Sequence, residues 1–239
     1  SISKQPISEY HWYRGDGSNS TDTNDVRLFA THGSYNVKLK LKTVHGCMDS
    51  ITQSVTVYPN PVSVIYTPQI EQCWKHNNFR FEDSTRIISG STSAYWKLGD
   101  DTFSNGKLIN HSFSNHGTFK VRLLSVSAFG CKDSAFTSVN IIPSPSPAFK
   151  INNTEQCLRY NRFIFSDSGK IAKGTYTLQW QFGDGSTSSL SPALHQYSDT
   201  GSYKVLQILT SDLGCRDTLK SITKILEKGF HEADFSNDF

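Results

Sequence analysis

Five cysteines carry the most readable chemistry in this sequence, because a cysteine thiol can form a disulfide, bind a metal or stay reduced. They are Cys47, Cys73, Cys131, Cys157 and Cys215. Cys73 and Cys131 are 58 residues apart, and so are Cys157 and Cys215. This spacing predicts the disulfides Cys73–Cys131 and Cys157–Cys215, with Cys47 left unpaired because its partner would fall before residue 1.

Two alternatives to disulfides remain open. The first is that the cysteines are reduced and buried. The second is metal binding, which is favoured less because no Cys-x-x-Cys motif or histidine cluster accompanies the thiols. Paired cysteines require an oxidising compartment, which is outside the cell or in an envelope space, and we expect an extracellular location at the cell surface.

Carboxylates form the second recurring group, in the motif Trp-x-x-Gly-Asp-[Gly/Asp]. Its shared positions are Trp12, Gly15, Asp16, Trp96, Gly99, Asp100, Trp180, Gly183 and Asp184. A Gly-Asp pair could belong to a catalytic or metal site, and Asp100 with Asp101 is the candidate for calcium. The same pair is typical of a tight turn, in which Gly takes a positive φ and the carboxylate accepts backbone N–H groups. We favour the turn, and therefore expect no cofactor.

The motif tryptophans, at positions 12, 96 and 180, lie 84 residues apart, which indicates one structural unit laid down in series. We interpret them as core residues rather than as a platform for sugar stacking. Trp74 differs, because Leu158 stands one period later. An aromatic residue outside the repeat pattern is the better candidate for a ligand contact.

Composition and motifs exclude several function classes. The net charge of +3 is too small to indicate nucleic-acid binding. No apolar run approaches the roughly 18 residues that span a bilayer. The sequence holds no Ser-His-Asp order, phosphate-binding loop or HExxH motif, so we expect no active site and no enzyme in these residues.

Short alternating runs indicate β-strands. Tyr35, Val37 and Leu39 alternate with polar residues, as in a strand with one buried face. In the second repeat, strands are predicted near 62–66, 78–83, 93–98, 107–113, 118–126 and 133–142. This spacing is typical of an antiparallel β-sandwich, and no helix is expected.

Prolines mark the joints between repeats. Five of the eight prolines fall in Tyr58–Pro61 and Pro143–Pro147, where dense proline gives a stiff, extended connector. We predict a partial repeat at 1–59, full repeats at 60–143 and 144–227, and the start of a further repeat at 228–239. The chain would then be an extended array of sandwiches cut from a longer protein.

The motif Trp-x-x-Gly-Asp-Gly is followed by His-x-[Tyr/Phe], at His111–Phe113 and His195–Tyr197, and by Gly-x-[Tyr/Phe]-x-Val. This series resembles the PKD (polycystic kidney disease) repeat, which implies an immunoglobulin-like sandwich. The Glu-Gln-Cys and Gly-Cys-x-Asp segments are similar to Cys-containing repeats in large surface adhesins of gliding Bacteroidota, exported by type IX secretion. Two departures are Asp101, where Gly is usual, and Arg27, where His is expected.

Three functions are compatible with these features. The first is a non-catalytic stalk or adhesive segment of a large cell-surface protein, serving adhesion or gliding. The second is a polysaccharide-binding module that acts by repeated weak contacts. The third is an accessory part of a secreted hydrolase or protease. The expected partners are neighbouring repeats of the same chain and extracellular polysaccharide, with the chain itself a monomer that does not insert into a membrane.

Overall fold

The computed structural model of the chain describes residues 6–227, which form β-strands, turns and loops without a helix. The predicted all-β class, with immunoglobulin-like antiparallel sandwiches in tandem, is confirmed. The further repeat predicted at 228–239 lies outside the described residues. No helix able to span a bilayer occurs in the described part of the chain.

The first repeat is a single antiparallel sheet in the order β2-β1-β3-β4. Its strands are β1 (Ile7–Tyr13), β2 (Asn19–Ser20), β3 (Gly33–Thr43) and β4 (Met48–Val57). The alternation predicted around Tyr35 and Val37 falls in β3, as expected. No residue in the range 6–57 is fully buried, because no second sheet covers this one within the repeat.

The second repeat has two sheets, in the orders β10-β7-β5 and β6-β12-β11-β8-β9. Its strands are β5 (Ile65–Tyr66), β6 (Glu71–Cys73), β7 (Phe79–Asp83), β8 (Thr92–Lys97), β9 (Phe103–Asn105), β10 (Leu108–His111), β11 (Gly117–Ser127) and β12 (Lys132–Ile142). The short strands β6 and β9 were not predicted, because three residues are too few to show alternation.

The third repeat follows the same plan, with sheets in the orders β13-β15-β18 and β14-β20-β19-β16-β17. Its strands are β13 (Phe149–Ile151), β14 (Glu155–Cys157), β15 (Phe163–Asp167), β16 (Tyr176–Gln181), β17 (Thr187–Ser188), β18 (Ala193–His195), β19 (Gly201–Ser211) and β20 (Arg216–Leu226). Inward-facing side chains of both sheets form its core, which consists of Phe163, Phe165, Trp180, Phe182, Ala193, Tyr197, Val205 and Ile225.

Each complete repeat contains a parallel pairing. Strand β6 runs parallel to the end of β12, and β14 runs parallel to the end of β20. The register sets Cys73 opposite Ile142 and Cys157 opposite Leu226. The early cysteine of a repeat therefore lies beside the last residue of its last strand.

The chain divides into two compact units. Of the described residues, the first unit contains those up to Thr67 together with Phe81–Ile109 and Lys120–Thr137, and the second contains Pro68–Arg80, Asn110–Phe119 and those from Ser138 onward. The contacts described below each lie within one of these units.

Candidate functional site: the cysteine contact of the second and third repeats

A disulfide joins Cys73 of the second repeat to Cys215 of the third, with 5.5 Å between the two Cα atoms. The bond lies within the second compact unit. The prediction of one disulfide inside each repeat, Cys73–Cys131 and Cys157–Cys215, is therefore wrong. Cys131 and Cys157 are unpaired in the structure, and so is Cys47.

The sheet register explains why the cysteines of one repeat do not pair. In the third repeat Cys157 lies opposite Leu226, at the end of β20, whereas Cys215 immediately precedes Arg216, at its start. Eleven residues at about 3.3 Å each separate these two ends by roughly 36 Å. A disulfide needs Cα atoms within about 7 Å, so the early and late cysteines of one repeat cannot pair.

Cys215 is presented by the turn between β19 and β20. Ser211 N–H donates to the Cys215 carbonyl at 2.8 Å, and Cys215 N–H donates to Ser211 Oγ at 2.9 Å. Gly214 sits in the turn with a φ of 85°, a value that suits glycine. Cys215 is fully buried, so the bond is shielded from solvent on this side.

Polar and aromatic groups surround the bond. Lys75 forms an ion pair with Asp217, and Lys75 N–H donates to Ser144 Oγ at 3.1 Å. Trp74 is 39% exposed, and its Nε1–H donates to the Ser114 carbonyl at 2.9 Å. The proposed ligand-contact residue thus lies at the surface beside the disulfide.

A cavity of about 330 Å³ also belongs to this part of the second unit. Its apolar lining includes Ile142, Pro143 and Leu213, and its polar lining includes Lys173 and Asp212. The disulfide contact is therefore accompanied by a partly apolar groove between strand ends and turns.

Sequence reasoning missed Lys75 and Asp217, although a signal was present. Arg159 stands one period after Lys75, so the position stays basic. Asp49 and Asp133 stand two and one periods before Asp217, so that position stays acidic. A basic residue two places after an early cysteine and an acidic residue two places after a late one could have suggested their meeting.

The Gly-Asp motif forms a turn, as we expected. Asp184 Oδ1 accepts hydrogen bonds from Ser186 N–H at 2.9 Å and from Ser186 Oγ at 2.6 Å, and its Oδ2 lies 2.7 Å from His195 Nε2. Burial would raise the pKa of Asp184, but the hydrogen bonds from Ser186 and His195 outweigh it and lower the pKa. The His195 ring stacks on Phe182 at 4.2 Å, which fastens the turn to the core.

The first repeat forms the same turn, but with an arginine in place of the histidine. Asp16 accepts hydrogen bonds from Ser18 N–H at 2.9 Å and from Arg27 Nη2 at 3.0 Å. Arg27, which departs from the family pattern, therefore fills the role of His195. The motif carboxylates stabilise turns in both repeats.

The two calcium candidates, Asp100 and Asp101, make different contacts. Asp100 accepts from Thr102 N–H at 3.2 Å and from Thr102 Oγ1 at 2.5 Å. The side chain of Asp101 is 97% exposed, with Lys97 Nζ at 3.9 Å. Asp101 has a φ of 64°, so it keeps the turn conformation that Gly185 adopts at the equivalent position. Across residues 6–227, no three His, Cys, Asp or Glu side chains are placed to share a metal ion.

Gly183→Ala is expected to destabilise the third repeat far more than Gly185→Ala. Both glycines have φ near 90°, which costs an alanine about 1–2 kcal/mol. A Cβ on Gly183 would also lie 2.8 Å from the Lys204 carbonyl oxygen, whereas a Cβ on Gly185 meets nothing within 4 Å. Overpacking of this kind adds about 1–3 kcal/mol. Urea denaturation of the two variants measures the difference in the free energy of unfolding. Equal destabilisation by both substitutions would contradict the close approach of Gly183 to the Lys204 backbone.

Asp16 is expected to titrate well below an ordinary aspartate. The Ser18 hydroxyl and N–H, followed by Arg27, lower its pKa from 3.8 to about 2. A pKa lowered by folding contributes stability that is complete above 3.8 and is lost as the pH falls toward 2. NMR titration of the carboxyl carbon should show a larger pKa increase in Ser18→Ala than in Arg27→Ala. The reverse order would contradict the turn as the main cause.

The motif tryptophans lie in cores where a second sheet exists. Trp96 is 1% exposed and Trp180 is fully buried, which agrees with core packing rather than sugar stacking. Trp12 is only half-buried, because its repeat has one sheet. Among other aromatics, Tyr66 is 54% exposed, while Tyr176 donates to Asp167 Oδ2 at 2.8 Å and is tied to its own repeat.

The PKD domain family model matches residues 1–59, 58–141 and 144–225, which is nearly the whole chain. The chain belongs to the PKD domain family. PKD domains are non-catalytic modules. The PKD domains and the disulfide together indicate an extracellular protein.

Relatives of these PKD domains occur in enzymes. Collagenase ColA of Clostridium perfringens (strain 13 / Type A) is 24% identical over 173 residues, covering 71% of this chain and 15% of that protein. The PKD1 domain of the Vibrio cholerae metalloprotease PrtV is 25% identical, with a TM-score of 0.31, and covers 34% of this chain and 96% of that structure. The N-terminal eight Ig domains of Down Syndrome Cell Adhesion Molecule are 12% identical, with a TM-score of 0.49, and cover 93% of this chain and 33% of that one. This chain thus spans a small part of its curated relative.

Proposed function

We propose that these PKD domains are a non-catalytic stalk or adhesive segment of a large cell-surface protein that serves adhesion or gliding. The observation that carries the proposal is the Cys73–Cys215 bond, which ties one PKD domain to the next. Covalent links between domains benefit a segment that transmits force, because non-covalent packing between domains separates under a smaller force than a covalent bond breaks.

The contact around the bond supports this role. The main chain at Pro143–Pro147 connects the second and third domains, and the disulfide connects them a second time. The third domain also has a buried aromatic core around Trp180 and Phe165. A pair of domains joined at two places favours a structural role, in which length and protease resistance matter, over a catalytic one.

The type of parent protein is proposed from the sequence motifs. Glu71–Cys73 and the Gly-Cys-x-Asp segment at Gly214–Asp217 are similar to repeats in surface adhesins of gliding Bacteroidota that use type IX secretion. We take the segment to work as a monomer outside the cell, with its neighbouring repeats as partners and without nucleic acid or membrane insertion.

A second candidate is an accessory segment of a secreted hydrolase or protease. The likeness to collagenase ColA favours it, since 71% of this chain aligns with that protein. A third is polysaccharide binding, which the exposure of Trp74 beside a partly apolar groove favours. Tryptophan is enriched at interfaces, because its ring offers apolar area and its N–H a hydrogen-bond donor.

Binding measurements separate the three candidates. The oxidised chain is applied to a broad polysaccharide array and to insoluble collagen, with calcium and with a chelator. A stalk is expected to show no saturable binding on either surface. Sugar binding that Trp74→Ala abolishes, while the control Tyr95→Ala on another exposed surface does not, would replace the stalk with a binding module. Saturable binding to collagen would favour the accessory segment.

A further inference from the structure

We propose that the surface around Cys157 is a docking site for the cysteine hairpin of another PKD domain of this type, closed by a disulfide like Cys73–Cys215. Cys157 is exposed and unpaired, and so is Cys47, which belongs to the hairpin of the first repeat. The site is independent of whether the array serves as a stalk or as a binding module.

The scaffold that presents Cys73 is a short edge strand followed by a fixed loop. Gln72 exchanges two hydrogen bonds with the backbone of Asn78, at 2.7 and 3.1 Å. Asn77 donates to the carbonyls of Trp74 and Phe113 at 2.8 and 2.9 Å. These bonds hold the loop so that the cysteine faces its partner.

The same scaffold surrounds Cys157. Gln156 exchanges two hydrogen bonds with the backbone of Arg162, at 2.7 and 3.1 Å. Asn161 donates to the carbonyls of Leu158 and Tyr197 at 2.8 and 2.9 Å. His76 and Tyr160, at equivalent positions, both have a φ of 64°. Because the backbone geometry is reproduced, Cys157 is presented as Cys73 is, but with no partner.

The hairpin turn that carries Cys215 is also reproduced, in the first repeat. In the first repeat, Thr43 N–H donates to the Cys47 carbonyl at 2.9 Å and Cys47 N–H donates to Thr43 Oγ1 at 3.2 Å. Gly46 has a φ of 80°, close to the 85° of Gly214. Cys47 is therefore held in the turn that carries Cys215, and it is open to solvent.

Charge complements the geometry. Lys75 pairs with Asp217 beside the existing bond. Arg159 occupies the position of Lys75 next to the free Cys157, and Asp49 occupies the position of Asp217 next to the free Cys47. Docking a hairpin of the first-repeat type on the Cys157 surface would bring Arg159 together with an aspartate in the position of Asp49.

A second contact between successive repeats shows that the end of one repeat meets the hairpin of the next more than once. In the first compact unit, the Tyr58 ring stacks on Phe129 with centroids 3.9 Å apart. Tyr58 and Phe129 stand one period before Ile142 and Leu213, which line the groove beside the disulfide. The end of one repeat therefore meets the hairpin of the next in both places, and Leu226 is the equivalent residue at the end of the third repeat.

The bond forms by thiol–disulfide exchange with a low-molecular-weight disulfide such as oxidised glutathione. The Cys157 thiolate attacks a glutathione sulfur and releases one glutathione thiolate. The Cys47 thiolate then attacks the Cys157 sulfur of the mixed disulfide and releases the second. Two protein thiols are thus oxidised to one disulfide, and the oxidant becomes two glutathione thiols.

The test uses two forms of the full chain, one with Cys157 as its only free cysteine and one with Cys47 as its only free cysteine. Mixed in a glutathione redox buffer, they are expected to give a Cys157–Cys47 dimer on non-reducing gels, with the bond identified by peptide mass spectrometry. A form whose only free cysteine is Cys131 is a matched control, because its hairpin already contacts Tyr58. We expect it to react at least about tenfold more slowly.

Charge reversal separates docking from random oxidation. Arg159→Glu is expected to slow the dimer about tenfold, since like charges then face each other. Asp49→Lys on the other form should restore the rate, whereas Lys220→Glu, on an exposed part of β20, should leave it unchanged. If the Cys157 form dimerises with itself as fast as with the Cys47 form, or if Asp49→Lys gives no rescue, the docking site is overturned. Peptide mapping of Cys73–Cys215 in every form verifies that the variants are folded.

Discussion

Stretching the chain by its ends is expected to release about 500 Å more unfolded length after reduction of the Cys73–Cys215 bond than before it. The two cysteines are 142 residues apart in sequence, and an extended chain spans up to about 3.6 Å per residue. While the bond is intact, the enclosed residues bear no load even after their domains have unfolded. Single-molecule force spectroscopy in the presence and absence of a phosphine reductant measures the difference directly.

The same experiment distinguishes the two pairings. Bonds within the repeats would enclose two loops of 58 residues, each hiding roughly 200 Å. Cys73→Ser should reproduce the reduced trace, and Cys131→Ser should leave the oxidised trace unchanged. Two separate gains of about 200 Å on reduction would restore the pairing that the spacing alone predicted.

Trp180→Ala is expected to reduce the free energy of unfolding of the third domain by about 3–5 kcal/mol, the usual cost of removing a large buried aromatic residue. Trp180 is fully buried, and its ring meets Phe149 edge-on at 5.1 Å and Phe165 at 5.5 Å. Its Nε1–H also donates to the Leu190 carbonyl at 2.9 Å, so the substitution leaves a cavity and an unpaired acceptor. Urea denaturation followed by circular dichroism gives the value.

The repeats supply the control for this substitution. Trp12 holds the same motif position and donates to the Asp22 carbonyl at 3.0 Å, but it is only half-buried. Its replacement by alanine is expected to cost about 1–2 kcal/mol, in proportion to the apolar area it covers. If both substitutions cost the same, the tryptophan stabilises the turn rather than the core.

The two predictions bear on the proposed stalk in different ways. The buried core around Trp180 determines how readily one domain unfolds, whereas the disulfide limits how far the chain can lengthen when it does. A segment with both properties returns to its folded length after a transient load. A module that only binds a ligand has no need of the second property.

The 84-residue period, the β class and the roles of the motif residues could be predicted from the sequence. Trp96 and Trp180 were assigned to cores, because large aromatics at a fixed interval pack against their own repeat. The carboxylate of Asp184 was assigned to a turn because a Gly-Asp pair is typical of one, and in the structure it bonds Ser186, only two residues away. Features of this kind depend on local geometry, which short stretches of sequence specify.

Only the tertiary structure decided which cysteines meet. The equal spacing of Cys73 with Cys131 and of Cys157 with Cys215 suggested closed repeats, but parallel pairing of a three-residue edge strand puts each early cysteine at the far end of the last strand. Edge-strand pairing is non-local and leaves no periodic signal in so short a segment. The consequence, that Cys73 and Cys215 join one domain to the next, follows from strand order, and the spacing of the cysteines does not show it.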